Sequence, residues 1–174
     1  MTGYGYSLNK GMPMKTLFLS ALLSCNLALP GIALEAVFVI RHAEKDVGED
    51  PALTEAGRIR AARWAAMLEQ AGINAVITTD ARRTQETGGI IAKALDLPTS
   101  TIDRQDIAGL IDLMSFDHEE DRVLVVAHRE TISSILSALG LFDAVSIPED
   151  DFANLFTVTG LLDDAPVLVH QRMP

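Results

Sequence analysis

Cysteine is almost absent from this chain: Cys25 is the only one in 174 residues. An intramolecular disulfide is therefore impossible, and a C-x-x-C metal or redox site is excluded. Positive charge is scarce as well. Fourteen Lys and Arg face 24 Asp and Glu, for a formal net charge of −10. That balance argues against a nucleic-acid partner, because a phosphate backbone needs basic surface. Aromatic residues make up only 5% of the chain, so the 48% that is hydrophobic must build its core from Leu, Ile, Val and Ala. No apolar run is long and unbroken enough for a good membrane span. Internal repeats and low-complexity stretches are also lacking.

The first 33 residues read as a leader. Lys15 supplies a positive charge, Thr16–Ser24 an apolar stretch, and Gly31 and Ala33 a small-x-small exit. This order describes a secretory signal peptide, with Met14 as the expected true start and cleavage near Ala33. Leu22-Leu-Ser-Cys25 resembles a lipobox, but the apolar run continues past Cys25 and the domain begins about ten residues later, so a lipoprotein is the weaker alternative. Removing Lys10 and Lys15 but no acid would make the body more acidic still. The expected organisation is a leader over 1–33 and one domain over 34–174, exported to a periplasmic or extracellular compartment with no stable membrane span in its mature form.

Within the body, short apolar runs alternate with amphipathic segments. Ala36–Ile40, Ala75–Thr79 and Val123–Ala127 read as buried strands. Helices are expected from Thr54, as a cap, to Gln70; from Arg82 to Leu95; over Asp106–Ser115; and after Ala127, up to Gly140. The first would bury Ile59, Ala61, Ala62, Ala65, Ala66 and Leu68. The second would bury Thr87, Ile90, Ile91, Ala94 and Leu95, and the last Ile132, Ile135, Leu136 and Leu139. Two weaker strands come after them, Leu155–Thr159 and Val167–His170, while 45–50, 98–105 and 142–151 read as loops. Continuous apolar strands alternating with helices predict an α/β three-layer sandwich, with a mainly parallel central sheet and helices on both faces.

Ligands of open α/β sheets bind beyond the carboxyl ends of the strands. Here those ends carry Arg41-His42-Ala43-Glu44, then Asp80 with Arg82-Arg83-Thr84, then His128-Arg129-Glu130. Taken singly, each residue has a plainer reading as a surface group or a satisfied core histidine. Together, two strand-end histidines accompanied by arginines are hard to explain by packing. The guanidinium fork suits a phosphoryl group. A neutral imidazole can attack phosphorus, and a protonated one can bind the charge that develops on its oxygens. A metal site competes for the histidines, but cationic neighbours would repel the ion and no H-x-H or H-E-x-x-H spacing is present.

These residues resemble the motifs of the histidine phosphatase (phosphoglycerate mutase-like) superfamily, in a short exported form. Arg41-His42-Ala43-Glu44 is similar to its Arg-His-Gly-Glu motif, and Leu53-Thr-Glu-Ala-Gly57 to its Leu-Thr-x-x-Gly segment. Thr79-Asp-Ala-Arg-Arg83-Thr-Gln-Glu-Thr87 is similar to Ser-x-x-x-Arg-(Ala/Thr)-x-x-Thr, and Val125-Val-Ala-His128 to the strand bearing the second histidine. The resemblance covers about Ala36 to Gly140. It implies His42 as nucleophile, Arg41, Arg83 and His128 as phosphate clamp, and Glu44 as a hydrogen-bonding acid of the pocket. Thr54 and Thr79 match family positions but are given structural roles, a helix cap and a strand end. Arg129 stands where many relatives have a small residue, and would narrow the pocket or add a fourth positive charge.

The proton donor to the leaving group stays open. Asp103, Asp106 and Glu130 are candidates, and Asp103 or Asp106 can equally be helix caps. The implied activity is hydrolysis of phosphate monoesters on a small phosphorylated substrate through a phosphohistidine, with no metal or organic cofactor. Two alternatives are a protein phosphohistidine phosphatase and an inactive phosphate-binding module.

Overall fold

A computed structural model describes residues 1–3, 34–143, 145–163 and 165–174. The expected leader, with Met14, Cys25 and nearly all of 1–33, lies outside the described residues. Among those described, no helix is long and apolar enough to cross a membrane.

Six strands form one sheet: β1 (Ala36–Arg41), β2 (Ala75–Thr79), β3 (Thr99–Ile102), β4 (Arg122–Ala127), β5 (Asn154–Thr159) and β6 (Val167–Arg172), in the order β3-β2-β4-β1-β5-β6. The β3–β2, β2–β4 and β4–β1 pairs are parallel, whereas β5 and β6 add antiparallel at the other edge. The sheet is therefore a parallel half joined to an antiparallel one.

Helices α1 (Glu55–Leu68) and α2 (Arg82–Leu95) cover one face. Trp64, Ala65, Leu68, Ile91 and Ala92 pack there on Phe38, Ile40, Val76, Leu124 and Val126. Helices α3 (Ile107–Asp117) and α4 (Arg129–Ala138) cover the other, where Leu110, Met114, Ile132, Ile135 and Leu136 meet Val37, Val39, Ile77, Val123 and Val125. Residues of one strand thus alternate between two cores, and this explains why the strands are apolar throughout. Gly140, at φ +88°, ends the α4 segment as expected.

Three expectations need correction. The segment 98–105 is not all loop, because Thr99–Ile102 is an edge strand. Its Thr-Ser-Thr-Ile is alternately exposed and half-buried, so it has no apolar run to announce it. On α1, Ile59, Ala62 and Ala66 face solvent, and Trp64 is the largest buried side chain of the helix face. On α2 the buried stripe is Thr84, Thr87, Gly88, Ile91 and Ala92, while Ile90 and Leu95 are half-buried and Ala94 is exposed. In both helices an abundance of alanine and small residues blurs the periodic signal.

The start of α1 is what positions the loop after β1. The Thr54 hydroxyl accepts from the Gly57 amide at 3.0 Å, and the Thr54 amide donates to the Glu44 carbonyl, also at 3.0 Å. A Cβ on Gly57 would collide with that same Glu44 carbonyl. Glycine here permits close backbone approach. Gly57→Ala should therefore destabilise the protein by about 1–3 kcal/mol despite the better helix propensity of alanine. Gly89→Ala on α2, where a Cβ meets nothing, should stabilise by about 0.5–1 kcal/mol. Urea unfolding of the two variants tests this opposition of sign.

Candidate active site

The strand register brings the histidines together. Arg41 pairs with Ala127 in the parallel β1–β4 ladder, so His42 and His128 are the next residues on adjacent strand ends. The His42 amide continues the ladder by donating to the Ala127 carbonyl at 3.0 Å. The two rings lie 5.5 Å apart, edge to face. Thr78 pairs with Val126, so Thr79 ends its strand beside them. Both imidazoles are buried, His42 at 4% and His128 at 3% exposure.

Hydrogen bonds settle both tautomers. His42 Nδ1 lies 2.8 Å from the Ala43 carbonyl oxygen, which can only accept, so Nδ1 carries the proton and Nε2 keeps its lone pair. His128 Nδ1 lies 3.1 Å from an Arg83 nitrogen, which can only donate, so this Nδ1 is the acceptor. Its Nε2–H therefore points at Thr79 Oγ1, 2.9 Å away. Burial pushes the His42 pKa down to about 3. The Ala43 bond opposes this, while His128, Arg41 and Arg83 add to it. Burial, with Arg83 and Arg104, brings His128 to about 4, against Glu130 and Asp80.

The arginines do not act alike. One terminal nitrogen of Arg41 donates to the carbonyls of Pro148, Glu149 and Asp151 at 3.3, 2.7 and 3.1 Å, and its guanidinium lies 4.0 Å from the centre of the Phe152 ring. Arg41 thus ties the 148–152 loop against the site, with Phe152 6.0 Å from the His42 ring. Arg83 bonds His128 and stands 3.7 Å from Asp50. The Nε groups of both Arg41 and Arg83 are buried and lack an acceptor among the described residues. Trp64 Nε1 and Asn154 Nδ2 share this condition, but only the two arginine groups pair it with positive charge, which suits an anion.

Other expected site residues are placed differently. Glu44, expected to hydrogen-bond within the pocket, does not. Its carboxylate instead holds Arg60 of α1 at 2.6 to 2.9 Å, so it braces the loop behind His42 and makes no bond to the clamp. Arg129 sits at the rim, paired with Glu130 at 3.2 Å. Asp106 caps α3 by accepting from Gly109 at 2.8 Å, and Asp103 accepts from Gln105 at 2.7 Å. Partial burial works to raise the Glu130 carboxyl, but bonds from its own amide and from Arg129 outweigh it and hold it low. Asp103 and Asp106 are thus engaged in a turn and a cap, and Glu130 in an ion pair.

Two contributors escape a reading of the sequence. Thr79 touches His128, where only a strand end is expected. Arg104, bound through two nitrogens to Asp80 at 2.9 and 3.2 Å, lies close enough to lower the His128 pKa, and nothing in its sequence context marks it. Among the described residues, no three His, Cys, Asp or Glu side chains are grouped to hold a metal ion.

A pair of neutral imidazoles at adjacent strand ends, one with a free Nε2, beside two arginines whose Nε groups lack an acceptor, suits a phosphoryl group. Residues 37–106 match the family model of the histidine phosphatase superfamily, branch 1. The fold is similar to that of several solved structures. SixA from Agrobacterium tumefaciens, there termed a candidate phosphohistidine phosphatase, has 18% identity and a TM-score of 0.62, over 80% of this chain and 99% of that one. A phosphoserine phosphatase from Entamoeba histolytica has 17% identity and a TM-score of 0.61, over 80% and 97%. A mycobacterial glucosyl-3-phosphoglycerate phosphatase has 14% identity and a TM-score of 0.59, over 79% and 97%. No curated protein sequence matches the chain. The family match runs from β1 to the cap of α3 and takes in Arg41, His42 and Arg83, while His128 lies beyond it.

Two neutral buried histidines also shape stability. An unfolded histidine takes its proton near pH 6.5, whereas folded His42 and His128 refuse it until about pH 3 and 4. The unfolded state therefore binds more protons below pH 6.5, and stability falls as pH drops. Between pH 7.5 and 5 the loss should be on the order of a few kcal/mol. The carboxylates held low, such as Asp151 at about 2, add their loss only at lower pH. Thermal unfolding should show this slope in the parent protein and a flatter one in a His42→Asn, His128→Gln double variant. A flat parent would contradict neutral burial.

Proposed function

We propose that the protein is an exported phosphatase that hydrolyses small phosphate monoesters through a phosphohistidine on His42. The observation that carries this is His42 itself: a buried, uncharged imidazole whose Nδ1–H is held by Ala43 and whose Nε2 lone pair is free. The match of residues 37–106 to the histidine phosphatase superfamily supports the reaction class. Export, with cleavage near Ala33 and release to the periplasm or medium, rests on the composition of the leader.

The phosphoryl oxygens are taken by the Nε groups of Arg41 and Arg83 and by His128. Neutral His42 attacks in line through Nε2, the P–O bond to the alcohol breaks, and the alkoxide takes a proton from water as it leaves, the hydroxide passing to bulk solvent. Burial, with Arg83 and Arg104, keeps His128 neutral. Negative charge at its Nδ1 favours its protonation, so it becomes a donor as the phosphoryl group arrives. Water then attacks phosphorus, the P–N bond breaks, and His42 and inorganic phosphate are regenerated. No metal is needed for either half.

A second reading is favoured by one specific observation, the engagement of all three candidate acids in other bonds. Asp103 and Asp106 are engaged in a turn and a cap, and Glu130 is held ionised by Arg129. A leaving group that brings its own proton, such as the imidazole of a phosphohistidine, would not need a protonated carboxyl. That reading keeps the same nucleophile and clamp. An inactive phosphate-binding module is disfavoured by the intact His42, Arg41, Arg83 and His128.

Hydrolysis of p-nitrophenyl phosphate from pH 4 to 8, in the presence of EDTA, tests the function. Turnover that resists EDTA and falls by at least about a thousandfold in His42→Ala supports it. Turnover surviving in His42→Ala, or abolished by EDTA, sinks it.

A further inference from the structure

The second histidine is held by more than its strand. Its Nε2–H donates to Thr79 Oγ1 at 2.9 Å. With one lone pair engaged by that bond, Thr79 turns its own hydroxyl proton to Thr84 Oγ1, 2.8 Å away. Thr84 in turn donates to the Ala81 carbonyl at 2.7 Å. The direction of the whole chain is set by its two ends, since Arg83 can only donate to His128 Nδ1 and the Ala81 carbonyl can only accept. All three side chains are buried, Thr84 completely, so no water competes for these groups.

Ala81 is the residue before α2, and Arg83 stands on the first turn of that helix. The chain therefore closes a loop of bonds: His128 to Thr79 to Thr84 to the helix start, and from the helix through Arg83 back to His128. We infer that Thr79 and Thr84 are positioning residues that fix the proton of His128 on Nε2, turn its Nδ1 towards the phosphoryl pocket, and set Arg83 and His128 in register as one unit. Without the Thr79 hydroxyl nothing holds the resting imidazole in this rotamer and tautomer, and a ring that has rotated, or that rests with its proton on Nδ1, gives up its bond to Arg83 before any phosphoryl group arrives.

The kinetic side of this inference rests on the phosphatase reading; the spectroscopic side does not. Long-range ¹H–¹⁵N spectra of the purified protein near pH 7 report which ring nitrogen of His128 is protonated, its signals being those missing in His128→Gln. The wild type should show the Nε2–H form alone. Thr79→Val should shift His128 towards the other tautomer or a mixture, and lower kcat for p-nitrophenyl phosphate on the order of tenfold to a hundredfold, the scale found when a partner that orients a functional imidazole is removed. KM should change by less, because the lost alignment matters most in the transition state. Thr79→Ser, which keeps the hydroxyl, should retain the wild-type tautomer and most of kcat. A merely structural role would lower the melting temperature but leave the tautomer in place. An Nδ1–H form of His128 in the wild type overturns the inference with no Thr79 variant needed, even if Thr79→Val fails to fold. A folded Thr79→Val with wild-type tautomer and kcat also overturns it. The wild type's turnover of p-nitrophenyl phosphate decides the phosphatase reading separately.

Discussion

The parallel pairing of β1 with β4 is the constraint on which the rest of this molecule depends. Its register sets Arg41 against Ala127, so the next residue on each strand must meet the other at the sheet's carboxyl edge. Both of those residues are histidines, His42 and His128. A slip of one residue along the ladder would turn every side chain to the opposite core, and the alternating packing on both faces makes that costly. The site is precise because the two hydrophobic layers forbid any other register.

Around that meeting point the polar groups are arranged by what each can give or accept. The carbonyl of Ala43 leaves His42 with its nucleophilic nitrogen free, and Arg83 leaves His128 with its acceptor turned towards the guanidinium. Burial keeps both rings uncharged, so two histidines and two arginines share a small space without a fourfold cationic repulsion. Arg41 has a double part. It lies close enough to lower the His42 pKa, and its terminal nitrogen gathers three carbonyls of the 148–152 loop. The salt bridge between Glu44 and Arg60, and the close contact of Gly57 with the Glu44 carbonyl, brace the loop from behind.

Much of this is legible in the sequence. Three apolar strands, the alternation with helices and the polar residues just past the strand ends come from pattern alone, and four ordered motifs point to the superfamily. Legibility fails where the signal is not periodic. Thr99–Ile102 pairs by its backbone at an edge, and its polar side chains give no sign of a strand. The buried face of α1 is hidden because alanines lie on all sides of it, and only packing shows that Trp64 turns inward while Ile59 does not. In the site, residue type predicts which groups can bind phosphate but not what each one holds. Glu44 is on Arg60, and Thr79 is on His128. Such pairings join residues 16 and 49 positions apart, and no local pattern records them.

Everything proposed for this site requires that phosphorus pass to the Nε2 of His42. Rapid quenching of a turnover mixture into alkali, where phosphohistidine persists, then peptide mapping and identification of the substituted ring nitrogen, tests it most directly. The structure predicts a single labelled peptide containing His42, substituted on Nε2, because Nδ1 is occupied by the Ala43 carbonyl. Label on His128, substitution on Nδ1 of His42, or turnover with no covalent intermediate trapped would contradict it.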